Sequence, residues 1–110
     1  MEVTRRAVVL AAGPCDLAGK LRPALVVQSD LFNAYHGSVT LLPVTRQVSV
    51  NTMFRVLLPA GAETGLQVES EAQVDKVQSL RRHRIVRVLG HVSPLVMERV
   101  DEALRRWLAL

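Results

Sequence analysis

The chain predicts a mainly β fold with short helices: a small, strongly twisted sheet or barrel finished by one C-terminal α-helix. Two patterns in its 110 residues carry that reading. Short apolar segments recur along most of the chain, each bounded by Gly, Pro, Ser, Asn or Asp, which is the rhythm of short strands joined by turns. Beyond Ser93 the period changes, and apolar residues then return at three- and four-residue spacing. The length fits one domain over residues 1–110.

The elements follow in order. Ala7–Ala11 reads as a strand. It follows basic residues and runs into "AVVLAAGP", but its apolar part is too short for a secretory leader. The loop "AGPCDLAGK" is punctuated by two glycines and a proline. Ala24–Gln28 opens on a continuous apolar run, expected of a strand buried on both faces. Ser29 is placed to cap a single helical turn that Gly37 ends. Val39–Val44 is the next strand, and Pro43, having no N–H to donate, predicts an edge or a bulge there. Phe54, Val56 and Leu58 alternate with Arg55 and Leu57, the pattern of a half-buried strand. "LPAGAETG" is a long turn. Ala72–Leu80 alternates less cleanly, and Ile85–Val92 gives one more strand. Val96, Met97, Val100, Ala103, Leu104, Trp107 and Leu108 then form the apolar stripe of an amphipathic helix. Ser93 is its N-cap and Pro94 its first residue. Trp107, on that stripe, is expected in the core.

Charge narrows the partners. Fourteen basic residues against ten acidic ones leave a net +4, which favours an anionic partner, nucleic acid first. No apolar run approaches the roughly 20 residues of a membrane helix. One cysteine, Cys15, excludes an internal disulfide and fits a reducing cytoplasm. His36, His83 and His91 are scattered and match no metal-ligand spacing. There is no nucleophile elbow and no phosphate-binding glycine loop. The expectation is a protein without metal or cofactor.

Three stretches offer chemistry. In "LRPALVVQSD", Pro23 pushes Arg22 into an extended conformation at the entrance of a strand, so its guanidinium leaves a defined point of the backbone. It serves there either as a surface ion-pair partner or as a phosphate ligand, its five donors matching phosphate oxygens. In "LLPVTRQ", Thr45 closes a strand beside Arg46; its hydroxyl is either an oxyanion donor or a β-branched residue suited to a strand end. In "LRRHRIVR", Arg81, Arg82, Arg84 and Arg87 form the densest basic cluster, a solvated turn or a phosphate track. Aromatic residues are too few for a base-stacking platform.

The order and spacing of "RPALVVQSD", "VTLLPVT", "TGL", "VDKV" and the glycine-then-helix ending resemble the MazF/PemK family of toxins from bacterial toxin–antitoxin pairs. The resemblance spans about Arg5 to the C-terminus. It implies an SH3-like barrel of the MazF/CcdB type with a C-terminal helix, acting as a homodimer. It also implies a metal-independent, sequence-specific endoribonuclease that cuts single-stranded RNA, chiefly messenger RNA. Carried over residue by residue, it places Arg22 and Thr45 in the active site, with Asp75 of "QVDKV" as a third member. An arginine that accompanies this aspartate in some members is replaced by Gln73. The RNA-binding set expected around them is Lys20, Arg46, Arg6, Gln73, Arg82 and Arg84. Asp75 and His36 are the candidates for a base. The chain departs from the family where Arg5-Arg6-Ala7 replaces its usual Arg-Gly-acid start, and where Arg46 replaces a small serine.

Two rivals stand beside this reading. One is a gyrase inhibitor of the related CcdB type, whose C-terminal Trp-Gly-Ile carries the contact; this chain ends Trp107-Leu108-Ala109-Leu110. The other is a family member that binds RNA or antitoxin without cutting. In every toxin reading the expected protein partner is an acidic, partly disordered antitoxin drawn to the basic surface.

Overall fold

The computed structural model describes residues 2–13, 19–49 and 53–110. Cys15 and most of the loop around it lie outside the described residues. The first apolar run forms β1 (Ala7–Ala12) and the second forms β2 (Leu21–Val26). They pair antiparallel, with Val8 opposite Leu25 and Ala11 opposite Arg22. Ser29 accepts the Leu31 N–H (3.1 Å) and caps α1 (Asp30–Asn33), the single helical turn expected. β3 (Ser38–Thr45) then returns along β2, with Ala24 opposite Pro43 and Val26 opposite Leu41.

Consecutive residues of these strands feed two different cores, the alternation that a pleated strand imposes. Val8, Leu25, Leu42 and Val44 face the side covered by the C-terminal helix. Val9, Ala24, Val26 and Leu41 face the opposite side with Ile85 and Val3. Both sides are dry, which is why "ALV" carries no polar interruption.

β3 changes partners along its length. Ser38–Leu41 pair with β6 (Gln78–Arg81), while Val44 and Thr45 pair with β5 (Ser70–Gln73). β4 (Arg55–Leu58) flanks β5 on its other edge. Pro43 falls at the handover between β6 and β5. Of the two expectations, edge or bulge, the edge is corrected: β3 is internal, and the proline sits at an irregularity where the register changes between β6 and β5, so neither later strand claims its missing N–H. The same break explains why Ala72–Leu80 alternates poorly. A 3-10 turn over Val74–Lys76 divides it into two strands. After a second short turn, β7 (Ile85–His91) closes against the free edge of β1, Val9 opposite Val88 and Leu10 opposite Arg87, with two register shifts that add curvature. The result is a strongly curved sheet of barrel-like form.

The loop before β5 is held down by glycine. A Cβ at Gly65 would collide with the Leu89 carbonyl, and one at Gly90 with the Glu63 carbonyl. Gly65 also has a φ of +74°, which favours glycine. The "TGL" motif is thus a backbone-to-backbone contact between this loop and β7.

α2 (Pro94–Leu108) ends the chain. Ser93 accepts the Val96 N–H (3.2 Å), a cap worth about 1 kcal/mol. Val96, Met97, Val100 and Ala103 are buried. Trp107, expected in the core, is instead about half exposed (48%), its ring packed against Phe54 with centroids 5.7 Å apart. Leu108, the next residue of the stripe, is likewise about half exposed, so the apolar face of α2 continues past its buried part. No helix among the described residues is long and apolar enough to cross a membrane.

Candidate active site

The site is set by strand register. The recorded β2–β3 ladder ends at Ala24–Pro43. Carried two residues outward along both strands, the register sets Arg22 opposite Thr45, on the same face. Each strand keeps its other partner there: Arg22 pairs across to Ala11, and Thr45 to Glu71 of β5. Past the end of their shared ladder the two strands form a mouth with an exposed arginine on one lip and a half-buried threonine on the other.

The hydroxyl on the second lip is oriented. Thr45 Oγ1 accepts the Gln47 N–H (3.1 Å), a local turn that occupies a lone pair and leaves the hydroxyl proton to donate elsewhere. Arg46 follows directly and is exposed. Lys20, also exposed, precedes β2 on the Arg22 side. Arg84 Nη1 reaches the Ala12 carbonyl (3.5 Å), beside Leu21 at the same end of the sheet. Arg22, Thr45, Lys20, Arg46 and Arg84 are thereby gathered at one end.

Other expected residues lie elsewhere. Arg6 precedes β1 at the far end from Ala11, roughly 15 Å away at about 3.3 Å per strand residue. Its N–H bonds the Val26 carbonyl (3.0 Å) and its Nη1 the Val92 carbonyl (2.9 Å). Arg6 adopts a φ of +79°, a conformation suited to glycine, and the guanidinium contact with Val92 offsets part of that strain. Arg82 folds back through Nε and Nη2 onto the His36 carbonyl (3.0 and 2.8 Å), at the Ser38 end of β3. His36 shares that end, its Nδ1 accepting the Ser38 N–H (3.1 Å). The length of β3 separates it from Thr45.

Asp75 belongs to a cluster with Arg55 and Glu71, the last being the register partner of Thr45. Arg55 donates to both of its carboxylate oxygens, Nε to Oδ1 at 2.9 Å and Nη2 to Oδ2 at 3.3 Å. Arg55 also lies 3.9 Å from Glu71, and it is the register partner of Gln73. The guanidinium missing from position 73 is thus supplied beside Asp75 from the neighbouring strand. Glu71 is buried, and its Oε2 accepts the Ser49 N–H (3.0 Å), tying down the loop that follows Thr45. Sequence reasoning passed over Arg55 and Glu71. The signal available was a period of two in "SEAQ", which puts Glu71 and Gln73 on one face and Ser70 and Ala72 on the other.

The titration of Asp30 is displaced. The Asn33 side-chain amide, then the Arg5 N–H, hold its carboxyl below the usual value of 3.8. Asp30 lies on α1, away from the mouth, and ties Arg5 to that turn; Arg5 is also ion-paired to Asp101 of α2.

Comparison with known proteins agrees with this architecture. Residues 4–108 match the family described as PemK-like, MazF-like toxin of type II toxin-antitoxin system. Endoribonuclease MazF9 of Mycobacterium tuberculosis is 39% identical over 98 residues, which cover 84% of this chain and 82% of that protein. Among solved structures, MazF of Deinococcus radiodurans superposes with a TM-score of 0.83 at 24% identity, covering 100% of this chain and 99% of the other. The MazE-MazF structure from the same organism gives 0.81 at 25% identity, covering 100% and 98%. A family match that runs from before β1 to the last turn of α2 takes in every element that builds the mouth, and the chain belongs to the PemK-like, MazF-like toxin family of type II toxin–antitoxin systems.

Proposed function

We propose that this chain is the toxin of a toxin–antitoxin pair and a metal-independent, sequence-specific endoribonuclease acting on single-stranded RNA, messenger RNA in particular. Its relative MazF9 carries the name endoribonuclease. The observation that carries the reading is the β2–β3 register, whose last pair is Ala24–Pro43 and which, continued outward, leads to Arg22 on one strand and Thr45 on the other.

RNA brings its own nucleophile. The 2′-hydroxyl attacks the adjacent phosphorus in line, the P–O5′ bond breaks, and the products are a 2′,3′-cyclic phosphate and a 5′-hydroxyl. The proton lost by the 2′-oxygen is balanced by the one gained at the 5′-oxygen. The protein's task is to stabilise the extra charge on the phosphoryl oxygens and to hold the geometry. In this reading the Arg22 guanidinium meets that charge with parallel N–H donors, and Thr45 donates its hydroxyl proton to a non-bridging oxygen. Lys20, Arg46 and Arg84 hold flanking phosphates. Asp75 is a positioning residue: its two oxygens are engaged by Arg55, and the cluster braces the strands behind Thr45. Arg6, Arg82 and His36 are left out because of where they stand. A homodimer and an acidic antitoxin complete the proposal, the basic mouth being the surface that such a chain would cover.

The test is to incubate purified protein with a long RNA in EDTA and map new 5′ ends. Cutting at a recurrent sequence, with 5′-hydroxyl ends, is expected, and Arg22→Ala should slow it about 10²–10³-fold. Cleavage that needs a divalent ion, or whose rate Arg22→Ala leaves unchanged, overturns the proposal. RNA binding without cutting would favour the non-cleaving alternative. Inhibition of gyrase with no effect on RNA would favour the CcdB-type one.

A further inference from the structure

One register row beyond Arg22, the sheet carries a second arrangement. Arg87 of β7, Leu10 of β1 and Pro23 of β2 are Cα partners in sequence across three strands. Together with Leu89, Gln67 and Arg46 they line a cleft of about 270 Å³. Pro23 is the residue after Arg22, and Arg46 the residue after Thr45. The cleft therefore begins one residue from each lip of the mouth, on the opposite face of β2.

Its composition is selective. The floor is apolar, from Leu10, Pro23 and Leu89. The charged side chains that line it are Arg46 and Arg87, and no carboxylate does. Three other clefts among the described residues each carry acids: Asp30 and Glu63 in one, Glu2 and Asp30 in another, Glu71 and Glu102 in the third. Of the four, this cleft alone presents cations without an anion to oppose a phosphate. Its wall is also built firmly, since Gly65 and Gly90 lock the loop that carries Gln67 onto β7.

We infer that this cleft is a specificity subsite for the nucleotide flanking the scissile phosphate. The inference rests on the ribonuclease reading above. The strand of RNA turns over the mouth, one base lies on the Leu10–Pro23–Leu89 floor, and Arg46 and Arg87 hold its phosphate. Gln67, with a donor and an acceptor on one amide, reads the base edge. Phosphate contacts set affinity and register, while contacts to the base edge set sequence.

The experiment uses full-length protein and short RNAs built around one mapped cleavage site, varied one position at a time. Arg87→Gln should raise KM about tenfold and reduce by about one the slope of log affinity against log salt, the signature of one lost phosphate contact. Arg87→Lys should restore the salt slope. Gln67→Leu should flatten the preference among the four bases at one position beside the cut and leave the other positions unchanged. Thermal midpoints check that each variant is folded. If wild type cuts RNA while Arg87→Gln keeps its KM and salt slope and Gln67→Leu keeps its preference, the subsite is wrong and the nuclease reading stands. A wild type that cuts no RNA overturns both.

Discussion

Two arginines flank β3 from opposite sides, and they differ in almost everything but side chain. Arg22 reaches it through β2, exposed, one strand from a hydroxyl. Arg55 sits beyond β5, mostly buried, clamped on Asp75 and close to Glu71. An arginine whose donors are taken by carboxylates is a brace, because its charge is already satisfied. One exposed at a strand mouth stands where a substrate can reach it. The comparison shows why neither residue type nor local sequence assigns the role: each arginine sits in an extended segment beside apolar residues, and the acids that engage Arg55 come from a strand and a turn 16 and 20 residues further on.

The contrast can be broken at either end. Arg55→Ala should have the largest effect, because it strands two adjacent carboxylates with little exposure. A loss of roughly 3–5 kcal/mol is expected for removing one partner of such a cluster, a fall of about 10–20 °C in melting temperature by calorimetry. If the midpoint hardly moves, the cluster is not a brace. Arg22→Ala should do the reverse: a loss of about 10²–10³ in cleavage rate, with stability within about 0.5 kcal/mol of wild type. Equal losses of activity and stability would erase the distinction. Thr45→Val keeps the shape and removes only the hydroxyl, and it should slow cutting about tenfold in single-turnover assays, less than the arginine because a neutral donor is weaker than a charged one.

Asp30 gives the smallest and most local effect. Its folded pKa lies below the unfolded value, so its contribution to stability is present above about pH 4 and fades as pH falls through the lowered folded value. Wild type should melt slightly above Asp30→Asn at pH 6, and the gap should close towards pH 2. Since Asp30 is exposed, solvent screening keeps the gap small. A gap that widens in acid would reverse the sign of the argument.

Much of the fold was legible because its signals are local. Ser93 and Ser29 cap the helices they precede, and the run Ala24–Val26 is buried on both faces, since capping and pleat depend on a few neighbouring residues. Pro43 leaves two readings open, an edge or a bulge, for the complementary reason. A proline reports that one N–H is missing, but whether that N–H lies at a sheet edge or at a handover between two partners depends on strands 30 residues later. Trp107 reads as core because its spacing fits the stripe; the stripe cannot say how far along the helix the burial extends. Arg6 shows the limit for charge. Its sequence neighbours make it one more cation for RNA; the fold adds a bond from its Nη1 to the Val92 carbonyl that those neighbours do not announce.

By itself the sequence determined most of the strands, both helix N-caps and the candidates Arg22 and Thr45, because propensity, capping and the Arg-Pro pair act within a few bonds. Tertiary structure alone decided that the β2–β3 register runs out towards Arg22 and Thr45, that Arg55 rather than residue 73 accompanies Asp75, and that Arg87 joins Arg46 around one cleft. Each of these follows from strand register, in which a shift of one residue would turn every side chain to the other face. Register is set by the summed burial of two cores, a quantity that no single segment contains.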